Sequence, residues 1–287
     1  MRRRIARVGL VILSILWASG LMAGIGVLLV GIFDHGTSAL ASQSGAIALR
    51  DAMEHVRDLA DDPTLQFRGE LDQSLLGEST RPIYWLESGT GETTDEFRVD
   101  ARTGLVLEAV FRSRMKQNAG DRRASIEDAA IIAARFGARH FDGFNSLTLL
   151  ERSQTATGER DTFHTLKWVL VDSATQVELP VSVLITVSGM NGGVVRYLAQ
   201  RDEVTVRLTP TVSKGQATIT ARNAVDSDAR WRNASIESQR LQVIYDEVNN
   251  QRLAWAVLFA RPRPSPTSQR LLVLVDAHTR DVIDADH

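Results

Sequence analysis

A chain of 287 residues, 44% apolar and 24% charged, has room for one or two globular domains with a sizeable core. Its net charge is −2, yet four of the 33 basic residues (Arg2, Arg3, Arg4 and Arg7) precede an apolar run, so the remainder is more acidic than the whole. That excludes the broad basic face that a nucleic-acid partner needs, and the absence of cysteine excludes disulfides, thiolate nucleophiles and cysteine metal sites.

Residues 1–7 form a basic tail. Residues 8–33 carry no charge, and a run of that length exceeds the ~20 residues that span a bilayer. The basic flank places the N-terminus in the cytoplasm and exports the body, so the expectation is a single-pass protein of the cell membrane, anchored through residues 8–33. Cleavage at Ala39-Leu40-Ala41 is the rival reading; the apolar run is longer than the ~7–15 residues of a signal peptide. Residues 34–43 read as a linker.

Beyond the linker the spacing predicts three successive units, over 44–118, 119–208 and 209–287. Each is expected to be a helix followed by an antiparallel sheet. In the first, Ile47, Leu49, Met53, Val56 and Leu59 have helical spacing, and Asp61-Asp62-Pro63 stops the helix. Strands follow at 83–86, 97–99 and 105–111. In the second, Ser125 with Asp128 starts a helix through His140, and strands are expected at 147–150, 163–171, 181–187 and 194–198. The third has a helix over about 213–225, a polar insertion at 226–235, and strands at 239–245, 253–260 and 271–275. Asn249-Asn250 marks a hairpin turn, and the proline-rich 261–266 a loop.

Each unit closes on a related phrase: Val99-Asp100-Ala101-Arg102-Thr103-Gly104, then Val187-Ser188-Gly189-Met190-Asn191-Gly192, then Val275-Asp276-Ala277-His278-Thr279-Arg280. The aspartate accepts amide hydrogen bonds from residues two and three places on, and glycine supplies the left-handed position. Asp100, Gly104, Gly192 and Asp276 are therefore structural turn residues. Arg280 stands where the first copy has glycine, so the third turn is expected to be looser or different. Each phrase follows a tryptophan strand. Trp85, Trp168 and Trp255 are expected at equivalent core positions, and Trp231, in the polar insertion, is a candidate partner contact.

At these residues the sequence resembles the PepSY domain, a small module of metallopeptidase propeptides, of YpeB-type proteins and of many exported bacterial proteins. The carrying features are the alanine-spaced helices, Ser125 with Ala129 and Ala133, and Ser213 with Ala217 and Ala221, and the closing hairpins. The likeness is best at 213–287 and 125–200. It implies an α+β fold, a transmembrane helix followed by about three PepSY-like repeats, and a non-catalytic module that restrains or regulates an exported peptidase or another envelope protein. It supplies no catalytic residues.

The sites read from residue types agree with that. No pair of the six histidines (His35, His55, His140, His164, His278 and His287) has zinc-ligand spacing, and no phosphate loop or nucleophile elbow is present. The acids at 61–62, 92–96 and 281–286 lie in polar stretches where solvated charge is the default. His140 reads as a helix C-terminal cation. The expectation is a protein with no catalytic, cofactor or metal residues, and no cofactor. The alternatives kept open are a ligand-binding sensory or structural ectodomain and, behind it, an enzyme of unrecognised type. A concave cluster of buried, mutually close acids and histidines from different units would favour that enzyme.

Overall fold

The computed structural model describes residues 46–72, 82–115, 123–157, 161–226, 228–261 and 270–286. The anchor expected at 8–33, its basic tail, the linker and the Ala41 cleavage site lie outside the described residues. Among the described residues, no helix is long and apolar enough to cross a membrane.

Three segments follow the same order. The first holds helix α1 (Leu49–Ala60) and strands β1 (Arg68–Asp72), β2 (Ile83–Ser88), β3 (Asp95–Asp100) and β4 (Val106–Val110), closed by a short helix, α2 (Arg112–Met115). The second holds α3 (Ile126–His140) and β5 (Thr148–Thr157), β6 (Asp161–Val171), β7 (Glu178–Ser188) and β8 (Val194–Arg201). The third holds α4 (Lys214–Asp226) and β9 (Ser235–Tyr245), β10 (Gln251–Ala260), β11 (Arg270–Asp276) and β12 (Val282–Asp286). The sequence reading omitted β1 and β12, both five-residue edge strands without a strong apolar alternation.

The caps are written locally. Ser125 Oγ accepts from the Asp128 amide at 3.1 Å, and the Asp128 carboxylate reaches back to the Ser125 amide at 3.2 Å. Ser213 and Gln216 do the same for α4. The inward faces are small or β-branched: Ala52 and Val56 on α1, Ala129 and Ala133 on α3, Ala217 and Ala221 on α4. Alanine there lets a helix approach the sheet closely.

The expected architecture of three units, each with its own sheet, is wrong. All twelve strands join one mixed sheet. β4 pairs with β8 antiparallel, through Glu108↔Leu198, Ala109↔Tyr197 and Val110↔Arg196, so the first two segments fuse edge to edge into eight strands. They also share one apolar cluster, from Ala52, Val56 and Phe97 to Ala129, Ile185 and Tyr197. The third segment joins β7 by a single parallel bridge, Glu178↔Gln242. It keeps its own cluster around Ala217, Ala221, Phe259 and Val273. A smaller cluster, Val177, Leu241, Val243, Leu253 and Ala277, fills the joint. The physical reason is edge chemistry: a strand edge carries unpaired amides and carbonyls, and β4 and β8 satisfy each other's.

The pairing of β4 with β8 is self-complementary. In each segment the last two strands carry the same register shift, between Arg98 and Val99, Thr186 and Val187, and Leu274 and Val275. On that register Ala109 corresponds to Tyr197 and Glu108 to Arg196, so a local two-fold runs through the Ala109↔Tyr197 pair. Both residues are fully buried, and burial pushes the Tyr197 phenol up. On the outer face Arg196 meets the Glu108 carboxylate at 2.9 Å, Arg98 meets it at 3.2 Å, and Arg98 stacks over Trp85 at 4.8 Å.

Candidate functional site

The three closing hairpins share one geometry. Asp100 Oδ1 accepts from the amides of Arg102 and Thr103 at 2.8 and 3.0 Å, and Asp276 Oδ1 accepts from those of His278 and Thr279 at 2.8 and 2.9 Å. In the middle copy Ser188 Oγ accepts from the Met190 amide at 3.2 Å. Gly104 and Gly192 sit at φ 75 and 72°. Arg280 adopts φ 71°. The third turn is therefore the same turn held in a strained residue, not a looser one, because its aspartate bonds and the hairpin fix the backbone. Burial raises the Asp276 carboxyl; the Thr279 and His278 amides and the Arg252 guanidinium outweigh it and leave the carboxyl below its ordinary range. The sequence reading missed a fourth copy, Val171-Asp172-Ser173-Ala174-Thr175-Gln176-Val177, although its spelling is nearly the same. There Asp172 Oδ2 accepts from the Thr175 amide at 2.7 Å, and Gln176 takes φ 58°.

Each turn is latched to the start of its helix. The carbonyls of Ala101, Gly189 and Ala277 accept from the amides of Ile47 (2.6 Å), Ala124 (2.9 Å) and Val212 (2.9 Å). A side chain then returns the bond to the same residue. Tyr84 Oη donates to the Ile47 carbonyl at 2.7 Å, His164 Nε2 to Ala124 at 3.0 Å, and Trp255 Nε1 to Val212 at 2.8 Å. Tyr84 pairs with Val99, His164 with Val187 and Trp255 with Val275, so these three are the corresponding positions.

The three tryptophans are therefore not equivalent. Trp168 is buried among the shared core and packs on Phe144 at 5.1 Å. Trp255 is half-buried between two clusters. Trp85 is half-buried one residue out of phase with Tyr84 and Leu86, so it faces away from the core, under Arg98. The period of two along a strand decides this, and a tryptophan alone does not reveal the phase. Trp231 is no partner contact: it is 4% exposed, packs in the third segment's core and carries Arg261 over its ring at 4.7 Å. Tyr84→Phe is expected to lower stability by about 1–2 kcal/mol, because a carbonyl next to the core loses its donor. Urea unfolding checks it, and a midpoint equal to wild type would refute the latch.

A cleft of about 710 Å³ lies at the junction of the first two segments. His55, Asp58 and Leu59 of α1 form one wall, and Arg139 and His140 of α3, with Asp142 and Arg201, form another. The turn from Asp100 to Gly104 makes the floor. His55 Nδ1 donates to the Gly104 carbonyl at 2.7 Å. Arg139 meets Asp61 at 2.9 Å, and His140 Nδ1 lies 3.4 Å from the Asp58 carboxylate. Arg201 donates to the Asp142 carbonyl and stacks on Phe141 at 4.4 Å. Acids and histidines from two segments thus meet in one concavity, which sequence spacing gave no means to foresee. Among the described residues no group of three or more histidine or carboxylate side chains is set to hold a metal ion.

His140 stands in the last turn of α3, as expected, but its charge is disfavoured by burial. Its side chain is 4% exposed, and burial pushes its pKa below the ordinary value even though Asp58 and Asp61 pull it upward. With the folded value below the unfolded ~6.5, the unfolded chain takes up the proton first as pH falls. Its contribution is therefore complete above about pH 6.5 and is lost as pH drops from there through the folded value. Urea midpoints at pH 7.5 and 5.5 are expected to fall with acidification, and His140→Gln should flatten that dependence; an unchanged slope in the variant would reject this role.

No family model matches the chain, and no curated protein matches it. Among solved structures, the C-terminal domain of YpeB from Bacillus megaterium is similar with a TM-score of 0.50 at 16% identity, covering 84% of this chain and 97% of that one. A chain described as a lipoprotein from Clostridium difficile 630 is similar at 17% identity over 53% of this chain and 91% of that one, with a TM-score of 0.18. The likeness to the YpeB domain is one of fold alone.

Proposed function

We propose that the chain is a non-catalytic extracytoplasmic binding module that holds a segment of an envelope or secreted protein, an exported peptidase being the favoured partner. The observation that supports it is the cleft, lined by Asp58, Asp100 and Asp142 and by Arg102, Arg139 and Arg201, with Arg139 already engaging Asp61 beside it. Such a surface suits a polypeptide that carries both charges better than a reacting group that must be activated. The fold likeness to a YpeB domain supports it at the level of architecture. The extracytoplasmic location rests on the basic residues that precede the uncharged run at 8–33.

The test uses the full-length protein in mild detergent as bait for envelope and secreted proteins of the source cell, with crosslinking. The expected result is a peptidase whose activity falls as the bait is added. An envelope protein without peptidase activity would keep the module and remove the peptidase. A folded bait that captures nothing would sink the reading. A second reading, a small anionic ligand, is favoured by the cleft volume and by Arg102, Arg139 and Arg201 in its lining; a thermal shift with simple carboxylates or phosphate, abolished by Arg102→Glu, would support it.

A further inference from the structure

We propose that the outer edge of β12 docks an extended, basic strand of a partner protein, pairing with it antiparallel as β4 pairs with β8. This rests on the binding-module reading and adds the place and the partner's chemistry. The internal joint supplies the argument. β4 and β8 are the last strands of their segments, and each has its outer edge covered by the other. β12 is the corresponding strand of the third segment, with the same register shift against β11, yet among the described residues it pairs with β11 alone.

The register fixes what an incoming strand would meet. Asp284 corresponds to Glu108, and Ala285 to Ala109. Inside the molecule the Glu108 carboxylate is satisfied by Arg196 from the paired strand and Arg98 from the strand behind. Behind Asp284 stands Leu274, which has no charge to offer. The partner must bring the cation that Arg196 brings to Glu108. The order Arg196-Tyr197-Leu198 is the internal example of such a strand. A second copy of this chain is the rival occupant, and sedimentation distinguishes it. An acid such as Asp284 at a strand edge leaves it open to a basic strand.

The probe is a fluorescent peptide with the sequence of residues 194–201, titrated with the full-length protein and read by polarisation. Saturable binding that weakens about tenfold for Asp284→Arg is expected, with a smaller loss for Asp284→Asn. A peptide carrying glutamate in place of its arginine should bind poorly to wild type and regain affinity for Asp284→Arg. Circular dichroism identical to wild type keeps the variants interpretable. No binding, or binding indifferent to Asp284, overturns the inference, as does a wild-type dimer in sedimentation that the peptide dissociates. If the peptide fails while the bait still captures a partner, the edge falls and the module stands; an empty capture sinks the module itself.

Discussion

Gly104→Ala is expected to destabilise the protein by about 2–3 kcal/mol, against a typical cost well under 1 kcal/mol for an exposed turn substitution. Two causes add. The position has φ 75°, where an L side chain costs about 1–2 kcal/mol. A Cβ there would also collide with Cε1 and Nδ1 of His55, so the imidazole must swing away and give up its bond to the Gly104 carbonyl. Urea unfolding of Gly104→Ala, His55→Ala and the double variant separates the two. The collision predicts that the double variant loses less than the sum of the singles, and strict additivity would refute it. The corresponding third-segment position runs the other way. Arg280→Gly removes the strain at φ 71° and should stabilise by about 1 kcal/mol, less the exposed bond from Arg280 Nε to Thr220 Oγ1 at 2.8 Å.

Phe97→Ala is expected to cost about 3–5 kcal/mol, the range for removing a buried aromatic ring. Phe97 is fully buried and stands edge-on between Phe67 at 5.9 Å and Phe111 at 5.6 Å. The larger consequence is where the loss appears. The first two segments share one cluster and the β4–β8 ladder, whereas the third has its own cluster and a single backbone bridge. Hydrogen exchange in the variant should therefore accelerate across strands β1–β4 and β6–β8 together, with little change in β10 and β11. Acceleration confined to β1–β4 would mean that the first two segments fold apart after all. Equal acceleration throughout would mean one cooperative unit.

The hairpin turns were legible in the sequence because their bonds span two to four residues. Asp100 and Asp276 each reach amides two and three places on, and nothing distant is needed. The fourth turn, at Asp172 directly after the Trp168 strand, is written in the same local way. The cleft was not legible: His55 and His140 are far apart in sequence and meet only because two helices cover one sheet. The tryptophans misled for a related reason. Residue type repeats through the chain, but strand phase decides the face, and the phase of Tyr84, His164 and Trp255 is set by pairing with Val99, Val187 and Val275.

By itself, the sequence determined the local pieces: capped helices with alanine faces, strands with alternating faces, and aspartate turns. Each depends on contacts between near neighbours along the chain. The tertiary structure alone decided that three expected units become one sheet with two kinds of joint, that Trp231 lies in a core rather than on the surface, and that β12 is the last strand of the sheet among the described residues. Those outcomes depend on which strand edges pair across long stretches of chain, where backbone amides carry no residue-specific mark and the apolar pattern shows that a face is buried, not what it is buried against.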